Sequence, residues 1–402
     1  MTTQATPREI HERLRQHFLH YFATAYELRE PGVRSEVLSL LGSPGEVLQP
    51  PVLELLPEYA IEAEPKTVSL VAAGAPAGTA EFLDSGLFPR PNLYTHQAEA
   101  LQAALTNDEN VVVTTGTGSG KTECFLIPII ARLVGESARW DQPTQTGNAW
   151  WHSAGGRWKP QRPAEQRDVA MRAMVLYPMN ALVEDQLVRL RRSLDSPAAR
   201  TWLDQHRKGN RFYFGRYTGQ TPVSGQRFGK LAELRGTLWD AEKDFDAITR
   251  KYGVNSDQRY FMADPMGCES RSRWDMQSTP PDILITNYSM LNIMMMRKLE
   301  DPIFDLTREW IERDERNVFT FVIDELHTYR GTPGTEVAYL VRRLLDRLGL
   351  IQRANQLSII TTTASIDPDR QKDREFLTGF FGSSRPFKGN HSGIARGRTC
   401  VR

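Results

Sequence analysis

The stretch that decides the fold of this chain is Thr115-Gly116-Thr117-Gly118-Ser119-Gly120-Lys121-Thr122. A β-branched run at residues 111–115 leads into it, and a helical pattern at residues 122–134 follows. Glycines let backbone N–H groups converge on phosphate oxygens, and the N-terminus of the next helix adds the positive end of its dipole. Lys121 would then reach the β- and γ-phosphates of a nucleotide, and the Thr122 hydroxyl would bind Mg²⁺. This context favours a phosphate-binding loop over a glycine-rich turn followed by a chance Lys-Thr.

The strand and helix patterns around this loop predict the fold class. Strand patterns recur at residues 171–178, 211–217, 282–287, 318–325 and 357–364, and helical patterns at residues 181–194 and 336–349. Apolar strands that alternate with helices form a mostly parallel sheet covered on both faces. We therefore predict a doubly wound α/β domain.

Other stretches do not follow this alternation. In residues 7–30 apolar side chains recur at every fourth position, which predicts a helix that ends at Pro31 and Gly32. The last residues are basic, rich in glycine and poor in apolar side chains, which is typical of a disordered tail. We therefore divide the chain into a mostly helical N-terminal extension (1–90), an α/β domain (91–385) with insertions near 137–168 and 222–280, and a disordered basic tail (386–402).

The first insertion holds half of the eight tryptophans of the chain, interleaved with basic residues. Aromatic rings stack on bases and cations follow phosphates, so this insertion could contact a nucleic-acid strand. The same side chains could instead anchor the insertion to its own domain. The sequence favours anchoring for the four residues, which are Trp140, Trp150, Trp151 and Trp158.

Composition and charge exclude several classes of protein. Because 50 Lys and Arg balance 49 Asp and Glu, the net charge of +1 indicates neither a nucleic-acid nor a membrane partner, and any basic surface must be local. No apolar run is long enough to span a bilayer, and the N-terminus lacks the apolar core of a signal peptide. Cys124, Cys268 and Cys400 form no CxxC pair, which argues against a zinc site and a disulfide framework. We therefore expect a cytoplasmic protein.

A second motif, Phe319-Thr320-Phe321-Val322-Ile323-Asp324-Glu325-Leu326-His327, places two acids after an apolar strand. Open α/β sheets bind ligands at the carboxyl ends of their strands. There Asp324 would hold Mg²⁺ and Glu325 would polarise an attacking water. An Asp-Glu pair after a strand is by itself more often structural. Its combination with the phosphate-binding loop favours the catalytic interpretation.

Here the chain resembles the DEAD/DEAH-box helicases of superfamily 2, over about residues 90–385. The loop has the TxxGxGKT form of these helicases, and Asp324-Glu325-Leu326-His327 is similar to their Walker B box in its DExH form. Tyr94-Thr95-His96-Gln97 is similar to the upstream glutamine motif that reads adenine. The resemblance implies a RecA-like ATP-binding lobe that uses ATP and Mg²⁺. Gln97 and the loop residues would bind ATP, Thr122 and Asp324 would hold Mg²⁺, and Lys121, Asp324, Glu325 and His327 would form the catalytic set.

Further motifs follow in the order of this family. Those similar to its nucleic-acid-backbone motifs are Tyr177-Pro178-Met179-Asn180-Ala181-Leu182 with Gln186, Tyr217-Thr218-Gly219, and Thr286-Asn287-Tyr288-Ser289-Met290-Leu291. Thr363-Ala364-Ser365 stands, permuted, where the family has the Ser-Ala-Thr that couples hydrolysis to strand binding. Purely structural roles remain open for several of these residues. They are a helix cap for Gln97, turn positions for Pro178 and Thr286, a core position for Tyr288, and a partly buried histidine for His327.

Within the superfamily the chain is most similar to long bacterial helicases of the Lhr-like and DUF1998-associated kind. Ser272-Arg273-Trp274-Asp275-Met276, ahead of the Thr-Asn-Tyr motif, carries part of this resemblance. Such helicases occur in DNA repair and in anti-phage defence, so nucleic acid is the expected partner, DNA ahead of RNA. The motifs themselves do not distinguish the two.

The second RecA-like lobe of such helicases has no counterpart in the residues after Ser365. That lobe supplies the arginine finger, which is worth about 10³–10⁵ in rate where it has been measured. The chain is therefore expected to bind ATP and nucleic acid but to hydrolyse ATP slowly alone. A fragment, a split helicase and a free-standing module all fit this pattern. The alternative function is a non-catalytic nucleic-acid or partner-binding module that retains the phosphate-binding loop.

Overall fold

The computed structural model describes residues 6–26, 28–43, 45–49, 56–106, 109–116, 118–144, 148–153, 155, 157–162, 165–225, 229–383, 385–390 and 394–400. The chain divides into two compact units. One comprises Met1–Glu58 and Arg396–Arg402, and the other comprises Tyr59–Ala395.

The smaller unit contains helices α1 (Pro7–Ala25) and α2 (Pro31–Leu41). A capping box starts α1, in which the Glu9 amide donates to the Thr6 hydroxyl at 3.3 Å and the Thr6 amide donates to the Glu9 carboxylate at 2.8 Å. The predicted helix thus begins as expected and ends at Ala25. Its apolar stripe is exposed, with Leu14 55% accessible.

The larger unit contains twelve helices within its described residues. They are α3 (Lys66–Ala72), α4 (Thr79–Asp84), α5 (Thr95–Thr106), α6 (Lys121–Ser137), α7 (Asn180–Asp195), α8 (Pro197–His206), α9 (Leu231–Tyr252), α10 (Arg273–Ser278), α11 (Tyr288–Met296), α12 (Asp301–Arg313), α13 (Thr332–Arg347) and α14 (Gln371–Phe381). None of the helices described anywhere in the chain has the length and apolarity needed to cross a membrane.

The strands form two sheets. The strands are β1 (Leu56–Tyr59), β2 (Asn110–Val113), β3 (Ala173–Tyr177), β4 (Phe214–Tyr217), β5 (Ile283–Asn287), β6 (Phe319–Ile323), β7 (Leu357–Thr362), β8 (Phe387–Asn390) and β9 (Ile394–Cys400). Strands β1 and β9 pair with each other. The main sheet has the order β4-β5-β3-β6-β7-β2-β8, and its pairings are parallel. The predicted α/β fold class is confirmed, and all six predicted strands are present.

Strand β8 lies where the sequence predicts a disordered tail. It pairs with β2 in the register Asn110↔Phe387, and the Asn110 amide donates to the Pro386 carbonyl at 2.8 Å. Because this strand depends on a partner far away in the sequence, its glycine-rich and basic composition gives no sign of it.

Helices pack on both faces of the main sheet. Alternate residues of β3 enter two different hydrophobic clusters, Val175 on one face and Met174 on the other. The first cluster includes side chains from α3 to α8, and the second includes side chains from α11 to α14. Phe82 and Leu83 of α4 are 1% and 0% exposed. Helices α3 and α4 therefore belong to this core, and the compact unit begins at Tyr59 rather than at the predicted boundary near residue 90.

The two predicted insertions share a third hydrophobic cluster. It joins Trp150 and Trp151 of the first to Leu234, Leu238 and Trp274 of the second. Trp151 is 1% exposed, and Trp140, which belongs to the first core cluster, is 5% exposed. These tryptophans are buried anchors, since their rings have almost no surface left on which a base could stack.

Candidate functional site

The sheet order brings three predicted motifs to one place. Strands β6, β7 and β2 are neighbours, so the segments that follow their carboxyl ends lie side by side. These segments are the glycine-rich loop after β2, Asp324-Glu325 after β6, and Thr363-Ala364-Ser365 after β7. The motifs meet where an open α/β sheet binds ligands.

Left-handed glycines shape the loop before α6. Gly118 and Gly120 have φ angles of 76° and 77°, which side-chain-bearing residues rarely adopt. The Ser119 hydroxyl lies 2.6 Å from the Thr115 hydroxyl, and its carbonyl lies 2.9 Å from the ring nitrogen Nε2 of His96. Among the described residues no side chain caps the first turn of α6, so its amides are available to an anion. Thr117 lies outside the described residues.

Gln97 joins α5 to this loop. Its Nε2 donates to the Gly120 carbonyl at 3.3 Å, and its Oε1 accepts from the Tyr94 amide at 3.0 Å. The second bond caps the first turn of α5, which is the bland alternative for this residue. The rings of Tyr94 and His96 stack at 5.5 Å beside Tyr59, whose hydroxyl would lie 3.0 Å from a Cβ on Gly116. Tyr59 is a neighbour of the loop that sequence reasoning missed, because no motif includes it.

Gly120→Ala is expected to weaken nucleotide binding far more than Gly118→Ala. Both substitutions force a left-handed φ on alanine, at a cost of roughly 1–2 kcal/mol. The added Cβ at Gly120 would also lie 2.5 Å from Nε2 of Gln97 and would displace this buried amide from its bonds to Gly120 and Tyr94. Nothing lies within 4 Å of a Cβ at Gly118. We expect roughly a further tenfold loss of affinity for Gly120→Ala, measured with a fluorescent ATP analogue. Equal losses in the two variants would contradict this packing argument.

The acidic pair after β6 is held by the loop and by β7. Lys121 Nζ lies 3.2 Å from Glu325 Oε1, and Glu325 adopts a left-handed φ of 52°. The Thr362 hydroxyl donates to Asp324 and accepts from the Glu325 amide at 3.1 Å. Burial raises the pKa of Asp324 above its ordinary value. The left-handed φ of Glu325 stores strain of about 1–3 kcal/mol, a feature that clusters at functional sites.

Sequence reasoning also missed Thr362. It is the second of three consecutive threonines, and nothing in that run shows which hydroxyl faces the acids. Only the register of β7 against β6, in which Ile323 pairs with Thr361, determines it.

His327 links Glu325 to the segment after β7. Its Nδ1 lies 3.3 Å from Glu325 Oε2 and accepts from the Ala364 amide at 3.4 Å. The segment itself is fixed by Thr363, whose amide donates to the Val113 carbonyl at 2.9 Å and whose hydroxyl accepts from the Ser365 amide at 3.3 Å. His327, whose side chain is 32% exposed, therefore lies between the acidic pair and the predicted coupling segment.

The residues predicted to contact nucleic acid lie at the same edge, after β3, β4 and β5. Asn287 Nδ2 donates to Asn180 Oδ1 at 2.6 Å, so these two motifs touch. Thr286 is 0% exposed and its hydroxyl donates to the Tyr217 carbonyl at 2.7 Å, which fits its structural reading. Thr218 is also buried, at 1%, whereas Gly219 beside it is exposed.

The remaining members of this group have mixed surroundings. Pro178 is half-buried at the start of its loop, and Gln186 Nε2 lies 3.5 Å from the Thr122 hydroxyl. The Tyr288 hydroxyl donates to Glu336 at 3.0 Å while its ring packs against the second core cluster. Gln186 therefore lies beside the glycine-rich loop rather than at the outer surface.

The donor set suits a magnesium ion that is shared with phosphates. Within the described part of the chain, no group of three or more His, Cys, Asp or Glu side chains could cage a metal. Mg²⁺ instead binds through one or two protein oxygens, several waters and substrate phosphates. The Asp324 carboxylate and the Thr122 hydroxyl fit that requirement.

Comparison with known proteins gives a consistent result. Residues 94–212 match the DEAD/DEAH box helicase family. The chain is 34% identical to the Druantia protein DruE of Escherichia coli (strain UMEA 4076-1), over 95% of this chain and 22% of that protein. It is 25% identical to the uncharacterized ATP-dependent helicase YprA of Bacillus subtilis (strain 168), over 71% of this chain and 24% of that protein. The chain thus spans about a quarter of the length of the curated relatives it matches.

Among solved structures, the DUF1998 helicase MrfA bound to DNA and AMPPNP aligns with 84% of this chain and 31% of its own. The sequence identity is 21% and the TM-score is 0.47. The fold assignment rests on the sheet order and connections described above.

Proposed function

We propose that this chain, whose residues 94–212 match the DEAD/DEAH box helicase family, forms the ATP-binding lobe of an ATP-dependent helicase that acts on nucleic acid. The observation that carries this proposal is the meeting of Lys121, Glu325 and His327 at the carboxyl edge of the sheet. This contact joins the phosphate-binding loop, the acidic pair and the predicted coupling segment.

The residues of the site suggest how a nucleotide changes it. The triphosphate would compete with Glu325 for Lys121 and take up the uncapped amides of α6. Glu325 would then be free to orient the attacking water, which is the role of the corresponding residue in related chemistry. Mg²⁺, held by Thr122 and Asp324, would supply charge neutralisation at the phosphates.

His327 would transmit a movement of Glu325 to the segment after β7. It contacts both Glu325 and the Ala364 amide, so movement of Glu325 alters the support of the segment after β7. That segment would signal the state of the nucleotide to the surface that grips nucleic acid. A second lobe, from this or another polypeptide, would complete the site with an arginine finger.

We place the nucleic-acid strand along the ends of β3, β4 and β5. Within the predicted set, Asn180 and Gly219 are exposed there, and Pro178, Asn287 and Tyr288 are half-buried. Contacts from such residues to phosphates and sugars carry no sequence information, so the grip would be largely independent of sequence. DNA is the form to test first, and repair or defence is the proposed setting.

Asn180→Asp is expected to weaken binding of single-stranded DNA at least about tenfold, because it sets a negative charge against phosphates. The carboxylate can still accept from Asn287, so the local structure should survive. Fluorescence anisotropy with labelled DNA and RNA of the same sequence would measure this loss.

Gln205→Glu is the matched control for charge. Gln205 is exposed on α8, just before the amino end of β4, and therefore lies toward the opposite edge of the sheet. Equal effects of the two substitutions would refute the proposed path of the strand.

A further inference from the structure

A cavity of about 200 Å³ lies away from the carboxyl edge. It is lined by residues from both insertions and by Tyr213, which precedes β4 and so marks the amino end of the sheet. Its polar lining includes Asp195, Arg200, Arg211 and Arg271. Pockets for drug-sized ligands begin near 300 Å³, so this cavity suits a small ion.

Arg271 brings to this cavity a buried charge that has no carboxylate in ion-pair contact within the described residues. The residue is buried, with only 6% of its surface exposed. Its Nε donates to the Pro265 carbonyl at 2.5 Å and its guanidinium lies 4.5 Å from the ring centre of Trp151. Nη1 has no acceptor, and no carboxylate of the described residues forms an ion pair with this guanidinium. Burial lowers the pKa of Arg271 from the ordinary value, and the charges of Asp275, Asp264 and Glu242, which lie beyond ion-pair distance, only partly offset it.

The nearby carboxylates are occupied by other partners. Asp195 accepts from Arg200 Nε at 2.7 Å and from the Cys268 amide at 2.9 Å. Asp264 accepts from the other side of Arg200 at 2.8 Å. Gly267 permits this close wrapping, since a Cβ there would lie 2.1 Å from the Asp195 carboxylate. None of these acids is therefore in ion-pair contact with Arg271. Asp275 and Glu242, whose charges also favour the charged guanidinium, accept from the Gln161 amide at 2.9 Å and from Trp151 Nε1 at 2.7 Å.

Two further groups of the lining can donate to an anion. The Tyr213 hydroxyl forms no hydrogen bond within the described part of the chain, although the residue is only 9% exposed. Burial raises the pKa of this hydroxyl, so it remains a donor at neutral pH. Arg211 lines the same space, and its ion-pair partner Asp204 is 55% exposed, which leaves that pair weakened by solvent.

We propose that this cavity binds a phosphate-type oxyanion through Arg271, Arg211 and the Tyr213 hydroxyl. An anion there would neutralise the buried guanidinium of Arg271 and accept a hydrogen bond from the Tyr213 hydroxyl. The anion could be free phosphate or the terminal phosphate of a nucleic-acid strand. This site is separate from the nucleotide loop, which lies at the other end of the strands.

Calorimetric titration with inorganic phosphate, at constant ionic strength and in a Lys121→Ala background, tests the proposal. The background removes the main phosphate ligand of the nucleotide loop. We expect saturable binding that Tyr213→Phe weakens at least about fivefold, equivalent to one hydrogen bond. Arg271→Met should abolish it, and Arg250→Met, at an exposed position on α9, should leave it unchanged. Tyr213→Phe keeps the packed ring, so it tests the site even where Arg271→Met fails to fold.

The remaining outcomes decide the proposal and its ligand. Absence of saturable binding, or binding that survives Tyr213→Phe and Arg271→Met unchanged, would overturn the oxyanion site. A parallel titration compares 5′-phosphorylated with 5′-hydroxyl oligonucleotides. A preference for the 5′-phosphate that Tyr213→Phe removes would identify a strand terminus as the ligand. Binding of phosphate without that preference would identify the free ion.

Discussion

Lys121→Ala is expected to lower the affinity for ATP by roughly 10- to 100-fold, the loss that follows from removing charge-assisted hydrogen bonds of about 1.5–3 kcal/mol. Glu325→Gln should retain ATP binding and lower turnover by about 10²–10⁴. The two residues form an ion pair at 3.2 Å, so each substitution also frees its partner. Because Glu325 would compete with the phosphates for Lys121, its neutralisation should leave the affinity for ATP unchanged or higher. A fluorescent ATP analogue measures binding, and single-turnover hydrolysis with and without single-stranded DNA measures chemistry.

Two substitutions at exposed positions serve as controls for Lys121→Ala and Glu325→Gln. Lys208→Ala and Glu315→Gln change the same residue types at exposed positions and should behave like the parent chain. Loss of ATP binding in Glu325→Gln would contradict the assigned roles. Nucleic-acid binding that is indifferent to both ATP and Lys121→Ala would instead favour the alternative, a binding module that retains the loop without using it.

The sequence predicts the strands of the sheet well because their signal is local. Residues 173–177 and 319–323 are mostly apolar runs that become buried on both faces of the sheet. The glycines of the loop mark positions where the backbone adopts left-handed φ angles, and this requirement is also local. Motif order then places residues 115–122, 324–327 and 363–365 at one edge, because parallel strands end at the same side.

Features that depend on distant partners are not readable in this way. Strand β8 exists through its pairing with β2, and helices α3 and α4 join the core although proline-rich segments surround them. The common core of the two insertions depends on Trp150 meeting Leu234 across a long stretch of chain. Thr362 and Tyr59 lie beside the site without belonging to any motif, so only the fold identifies them.

Asp282→Asn is expected to destabilise the larger unit by about 3–5 kcal/mol, since it removes one partner of a buried ion pair. Asp282 is fully buried just before β5, where it accepts from Arg167 at 2.6 and 2.7 Å and from the Tyr213 amide at 2.8 Å. Arg172 lies 3.3 Å away. The substitution would remove the carboxylate that these guanidinium groups share, at the point where the first insertion meets the amino end of β4. Arg167 would keep only Glu165 at 2.9 Å, and Arg172 only Glu136 at 2.7 Å. Urea denaturation followed by circular dichroism would measure the loss.

The pH dependence of this loss provides a second, independent check. Burial alone would raise the pKa of Asp282, but Arg167 and Arg172 outweigh it and lower the pKa to about 2. Its pKa in the unfolded chain is about 3.9, so its contribution is present above about pH 4 and is lost as the pH falls towards 2. The difference in stability between the parent chain and Asp282→Asn should therefore narrow over that interval. Asp305→Asn, at a position 64% exposed, should cost less than about 1 kcal/mol at any pH. A constant difference down to pH 2 would show that packing, rather than the ion pair, holds this edge of the sheet together.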